Sequence, residues 1–190
     1  FALGKDEKEF FRPTSVPRTF IPCTAGNKEE PLEDRIQRYI DTYFQFLIDN
    51  LETPFDIYHS QDCVSANALW HVSEKGLISC FIRTIHHVDD FVSPRLIQCQ
   101  KDSIYRPEHR FVVSKFWQNQ LTSDFGVDSH IIHNGVDIGR FVPPTDVQRK
   151  VSREKLDVSG KTVFLNIGGI EPRKNSIRLV MAFGLAKRQL

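Results

Sequence analysis

The chain has 190 residues, 40% hydrophobic and 11% aromatic, with a formal net charge of +1. That is enough for one good domain or parts of two around a real core. So small a net charge provides no broad field to draw in nucleic acid or an anionic membrane, and no apolar run reaches the ~20 residues of a membrane-spanning helix; peripheral membrane contact stays open. Cysteines stand at 23, 63, 80 and 99 with no pair at C-x-x-C spacing, which argues against zinc and thioredoxin-type chemistry. Cys80 lies in an apolar run and is expected to be a small buried hydrophobe. This cysteine usage fits a reducing, cytoplasmic compartment.

In chain order, Phe1-Ala2-Leu3-Gly4 reads as the tail of a buried strand. Residues 5–31 are polar and interrupted by proline, with one expected strand at Arg18-Thr19-Phe20-Ile21. Leu32, Ile36, Ile40, Phe44, Leu47, Ile48 and Leu51 then recur at spacings of three and four, the stripe of a core-facing helix, with Pro31 before it and Pro54 after. Phe55–Tyr58 is a short apolar segment ending at His59. A helix is expected over Ser65–Val72, stopped at Gly76, and a buried strand over Leu77–Ile85. Pro94–Ser103 reads as a helix and Phe111-Val112-Val113 as a strand. Ser114 stands in N-cap position before Phe116, Trp117 and Leu121, and Gly126 closes that helix. His130-Ile131-Ile132 is a strand ending at Asn134-Gly135, a pair that tolerates positive φ.

Strands alternating with helices predict an α/β fold with a parallel sheet covered on both faces. Ligands in such sheets are expected beyond the carboxyl ends of the strands, where strand order reverses, and His59, Thr84, His86, Ser114, Asn134 and Gly168 fall at such ends. Pro143-Pro144 stiffens the backbone and breaks the pattern, so a domain boundary is placed here, with one domain over 1–142 and the start of another over 143–190. A polar helix follows over Asp146–Leu156, then a strand over Lys161–Ile167. Leu190 falls inside a helical pattern, and the chain is expected to be a piece of a longer protein. A reading frame that starts at Phe1 and stops after Leu190 would overturn that.

The stretch Asn166-Ile-Gly-Gly-Ile-Glu-Pro-Arg-Lys-Asn175 is the most informative. A strand that turns on paired glycines into a helix exposes backbone N–H groups at a helix N-terminus, a site for phosphate. Gly168, Gly169, Arg173 and Lys174 are therefore phosphate-binding candidates. A plain strand–helix turn with two solvated cations is the competing interpretation.

Several motifs then line up: Asp56-Ile57-Tyr58-His59-Ser60-Gln61-Asp62, Thr84-Ile85-His86-His87, Val113-Ser114, Gly126-Val127, His133-Asn134-Gly135-Val136-Asp137 and Gly168-Gly169-Ile170-Glu171-Pro172-Arg173-Lys174. The ordered set, from about residue 55 to the C-terminus, resembles the retaining glycosyltransferases of family 4. Those enzymes have the GT-B fold of two Rossmann-like domains facing across a cleft. The resemblance implies transfer of a sugar from a nucleotide-diphosphate donor to an acceptor hydroxyl with retention of configuration. The acceptor would be a carbohydrate, a lipid or a small molecule, with no cofactor and no nucleic-acid partner.

By the same resemblance Lys174 contacts the donor diphosphate, and His86 contacts the donor sugar near the transfer centre as the catalytic candidate. His87 is its adjacent competitor, and His59, Asp62 and Asn134 are candidate cleft or acceptor residues. The family usually places Arg after the first glycine of the turn, where this chain has Gly169. That departure motivates a second interpretation, a non-catalytic GT-B-like scaffold that binds sugar or a partner. A third is another GT-B enzyme, such as a nucleotide-sugar epimerase or a phosphorylase. No metal is expected, because His59, Asp62, His86, His87, Asp89 and Asp90 fit no compact ligand spacing. His86 also fits an ordinary strand-end histidine, and Ser114 is first a helix cap.

Overall fold

The computed structural model describes residues 1–4, 15–24, 26–27, 29–51, 55–170 and 174–188. They divide into two compact units, Phe1–Gly135 and Val136–Leu190. The division falls ahead of Pro143-Pro144.

The first unit is mixed α/β, and every strand pair among its described residues is parallel. Strands β1 (Ala2–Gly4) and β2 (Phe20–Pro22) form a two-stranded sheet. Helix α1 spans Leu32–Asn50 behind Pro31, which takes the N-cap position. Pro54 lies outside the described residues. Then come β3 (His59–Ser60), α2 (Cys63–Glu74), β4 (Ile82–Ile85), α3 (Pro94–Tyr105), β5 (His109–Val112), α4 (Lys115–Gln120) and β6 (His130–Ile131). The four later strands make one sheet in the order β3-β4-β5-β6. Because that order follows the sequence, no reversal of strand order falls within it, and the carboxyl ends line up along one edge.

The predicted helical stripe packs as its period requires. Leu47 on α1 meets Ala66, Leu69 and Val72 on α2, with Ile78 and Phe81 completing the cluster. A second cluster joins Ile85, Ile104, Val112 and Leu121 across β4, α3, β5 and the end of α4. Helix α4 opens at Ser114, whose Oγ accepts from the Trp117 N–H at 3.4 Å. It runs on into one wide turn, Leu121–Phe125, and stops at Gly126. Gly126 has φ +65°, a conformation glycine adopts without the strain that a Cβ brings.

Two expectations are corrected in this unit. The run Leu77–Ile85 is a strand only from Ile82, because its partners β3 and β5 begin opposite that residue. Ahead of it Ile78 and Phe81 turn into the core, while Leu77 and Cys80 stay exposed. Cys80 is therefore not a buried hydrophobe. An apolar run tells that a segment packs, not which of its residues does.

In the second unit, α5 (Asp146–Lys155) starts at a capping box in which Thr145 and Gln148 each satisfy the other's backbone N–H. Helix α6 spans Ser176–Lys187. The expected strand over Lys161–Ile167 does not form among the described residues. Phe164, Leu165 and Ile167 are exposed, and no neighbouring strand offers the backbone partners that a strand requires.

Candidate functional site

The parallel register sets what the sheet edge presents. His59 pairs with Ile82 and Ser60 with Arg83, so the residues that leave β3 and β4 at their carboxyl ends are neighbours. His59 Nε2 lies 2.8 Å from Thr84 Oγ1 and 3.1 Å from Gln61 Nε2. Gln61 Oε1 in turn lies 3.0 Å from His86 Nε2. With the Gln61 amide so oriented, its N–H donates to His59 and its carbonyl accepts from His86 Nε2–H. The result is one hydrogen-bonded chain, Thr84–His59–Gln61–His86, built from two strand ends.

Partial burial and the nearby His86 hold the His59 imidazole below its ordinary value. A depressed histidine pKa favours the neutral ring in the folded state. The stability this contributes is present above the unfolded value of about 6.5 and is lost as pH falls through the lowered one. In neutral His59 protonated at Nδ1, the single Nε2 lone pair faces both the Thr84 hydroxyl and the Gln61 N–H and accepts from the two as a shared, three-centre contact.

His87 departs from His86. It is exposed and sits 3.3 Å from the Asp89 carboxylate. The Asp89 loop is tied to α3 by Gln100, which accepts from the Asp89 N–H at 2.8 Å and donates to its carbonyl at 2.9 Å. Asn134 is exposed beyond β6. Among the described residues no three His, Cys, Asp or Glu side chains are grouped to hold a metal ion.

Asp62 is a helix cap. Its Oδ1 accepts from the Ser65 N–H at 2.7 Å and from Ser65 Oγ at 2.8 Å. Asp62→Ala should cost about 1 kcal/mol of unfolding free energy, and Asp62→Asn much less, since Asn caps as well as Asp. Urea titration of the two variants measures this. Equal losses would mean that the charge, not the cap, is what Asp62 provides.

Beside the chain of bonds a cavity of about 690 Å³ opens between β1 and β3. Leu3, Tyr43 and Phe55 form part of its apolar wall, and His59, Gln61 and Asp62 supply polar groups. An apolar wall facing a few placed polar groups is the usual make-up of a small-molecule site. Burial, with the Asp62 carboxylate adding to it, pushes the Tyr43 phenol up to about 12. It therefore stays a neutral donor, here to the Phe1 carbonyl at 3.0 Å.

In the second unit, the glycine turn lies against the start of α6. Gly169 carbonyl accepts from Ser176 Oγ at 3.4 Å, and Ser176 is buried. Gly168 has φ +138°, which side chains rarely adopt, and the aliphatic stem of Lys174 lies where a Cβ on Gly168 would touch it. Lys174 itself is exposed. Arg173, with Glu171 and Pro172, lies outside the described residues.

Gln61 is the residue that the sequence motifs contained without singling out. Its only signal was its place between His59 and Asp62 at a strand end. A second grouping was also hidden, because Cys63 and Cys99 are 36 residues apart yet their sulfurs lie 2.9 Å from each other. The absence of C-x-x-C spacing therefore did not exclude a dithiol.

No helix among the described residues is long and apolar enough to cross a membrane. No curated protein matches the chain. The family model of Glycosyltransferase Family 4 matches residues 6–140, which takes in the two strand ends and the whole Thr84–His59–Gln61–His86 chain. The chain belongs to Glycosyltransferase Family 4.

Proposed function

We propose that the protein is a retaining glycosyltransferase that moves a sugar from a nucleotide-diphosphate donor to an acceptor hydroxyl. The observation that carries this reading is the Thr84–His59–Gln61–His86 chain at the carboxyl edge of a parallel sheet. Ligands of such sheets collect there. Gln61 fixes the tilt of the His86 ring, which leaves that imidazole oriented before any sugar arrives. A group held in place costs no reorganisation when the glycosyl bond breaks.

The leaving group is a nucleotide diphosphate, on which negative charge grows in the transition state. Lys174 and the N–H groups at the start of α6 are suited to stabilise that charge. Lys174→Ala should weaken binding of the nucleoside diphosphate by about 1.5–3 kcal/mol, a factor of roughly 10 to 150, and leave nucleoside binding unchanged. Isothermal titration with both ligands measures the difference. An equal loss for the two, or none, would reduce Lys174 to a surface cation.

Gly169, where the family usually has Arg, favours a second interpretation, a scaffold that binds sugar or a partner without turnover. A panel of nucleotide-diphosphate sugars decides between the two. Transfer to an acceptor, with the anomeric configuration of the product kept by NMR, supports the enzyme. Donor binding with no transfer or hydrolysis supports the scaffold, and inverted product would remove the retaining mechanism.

A further inference from the structure

We propose that Cys63 and Cys99 are an oxidisable dithiol that takes a hydroperoxide as its substrate and closes to a disulfide joining α2 to α3. Cys63 is the first residue of α2 and Cys99 lies within α3. Both are partly exposed, so a small oxidant can reach them. Their sulfurs stand 2.9 Å apart, and a disulfide at about 2.05 Å needs less than an ångström more. Asn67, buried one turn further along α2, holds the two backbones together. Its Nδ2 donates to the Cys63 carbonyl at 2.8 Å and to the Cys99 carbonyl at 3.0 Å.

Beside the thiols lies a buried charge that has no ion-pair partner among the described residues. Arg83 on β4 is 5% exposed. One of its terminal nitrogens donates to Ser103 Oγ, and its Nε has no hydrogen-bond partner. No carboxylate among the described residues forms an ion pair with it. Arginine stays protonated in proteins, and a buried charge without a counter-ion is strongly disfavoured. A thiolate at Cys63 supplies the anion. The groups around it favour the thiolate on balance. Donation from the Cys99 thiol holds Cys63 well below the usual thiol value, with Ser103 and Arg83 adding to this and burial and Asp62 opposing it. The same hydrogen bond pushes Cys99 up, as do burial and Asp102. The reactive form is the Cys63 thiolate accepting from the Cys99 thiol, while in its thiol form Cys63 Sγ donates to the Cys99 carbonyl at 3.4 Å.

The reaction balances with a hydroperoxide as the named oxidant. The Cys63 thiolate attacks the outer oxygen, an S–O bond forms, the O–O bond breaks, and the leaving alkoxide takes a proton from the Cys99 thiol to become alcohol. The Cys99 thiolate then attacks the Cys63 sulfenic sulfur. An S–S bond forms, the S–O bond breaks, and the departing hydroxide takes a solvent proton to become water. Two electrons pass from the two sulfurs to the peroxide.

Cys80 is the internal comparison. It is exposed, yet Glu108 beside it pushes its thiol up. Exposure alone predicts that Cys80 reacts first, whereas the thiolate pair predicts Cys63. The full chain is reduced, treated at pH 7 with hydrogen peroxide, quenched with an alkylating reagent and mapped by peptide mass. Linked Cys63–Cys99 peptides that dithiothreitol separates, with Cys80 still alkylated, are the expected result. Cys99→Ser should leave a Cys63 sulfenic acid that dimedone traps. Arg83→Met should slow alkylation of Cys63 at pH 7 by about tenfold or more and leave Cys80 unchanged. Cys80 oxidised before the pair, or Cys63 alkylated no faster than Cys80 in the unmodified chain, would overturn the proposal. The Cys99→Ser trapping stands by itself if Arg83→Met does not fold.

Discussion

His86→Ala should lower turnover by about 10²-fold or more while changing unfolding free energy by less than ~1 kcal/mol. The reason is placement. His86 leaves β4 at its carboxyl end, is only partly buried, and among the described residues its side chain hydrogen-bonds Gln61 alone, at 3.0 Å. Little core packing depends on it. A group aimed at the reacting carbon or its flanking hydroxyls acts most strongly in the transition state, where charge on the sugar ring is greatest. The loss should therefore appear in kcat rather than in donor affinity. His87→Ala is the control, since consecutive residues at a strand end face opposite ways and His87 turns to Asp89. Gln61→Ala should fall between the two, because it frees the His86 ring without removing it. Steady-state kinetics and thermal melts on the three variants measure this. If turnover survives in His86→Ala while the protein stays folded, the catalytic assignment fails. If His86→Ala and His87→Ala destabilise equally, both are structural.

The largest expected effect on stability comes from Leu121→Ala. Leu121 is fully buried and joins Ile85, Ile104 and Val112, so it is where the end of α4 packs onto the sheet. Truncating its isobutyl side chain to a methyl loses transfer free energy and leaves a cavity that flanking Trp117 and Phe125 fill only in part. A loss of 2–5 kcal/mol is expected, a large share of the 5–15 kcal/mol that holds a typical domain folded. Val92→Ala, at a residue 93% exposed, should stay within about 0.5 kcal/mol. Urea unfolding of both gives the comparison, and a Leu121→Ala loss no larger than that of Val92→Ala would mean that this cluster does not hold the first unit together.

Much of the fold was legible in the sequence because its signals are local. The α1 stripe has helical period, Ser114 caps the turn that follows it, and Gly126 supplies one left-handed residue. Each needs only the few residues around it. The parallel α/β class followed from the alternation of such segments, and the ordered motifs pointed to the family that the match over residues 6–140 identifies.

The tertiary structure decided the rest, because convergence of side chains depends on strand register and helix packing. The β3–β4 register alone sets His59 beside Thr84 and brings Gln61 to His86. Packing of α2 against α3 closes 36 residues of chain to a 2.9 Å contact between sulfurs. Burial of Arg83 beside them leaves its Nε without a hydrogen-bond partner. Where a partner was missing, sequence pattern failed in the same terms. Residues 161–167 carry a strand's composition and form none among the described residues, since a strand's hydrogen bonds belong half to its neighbour.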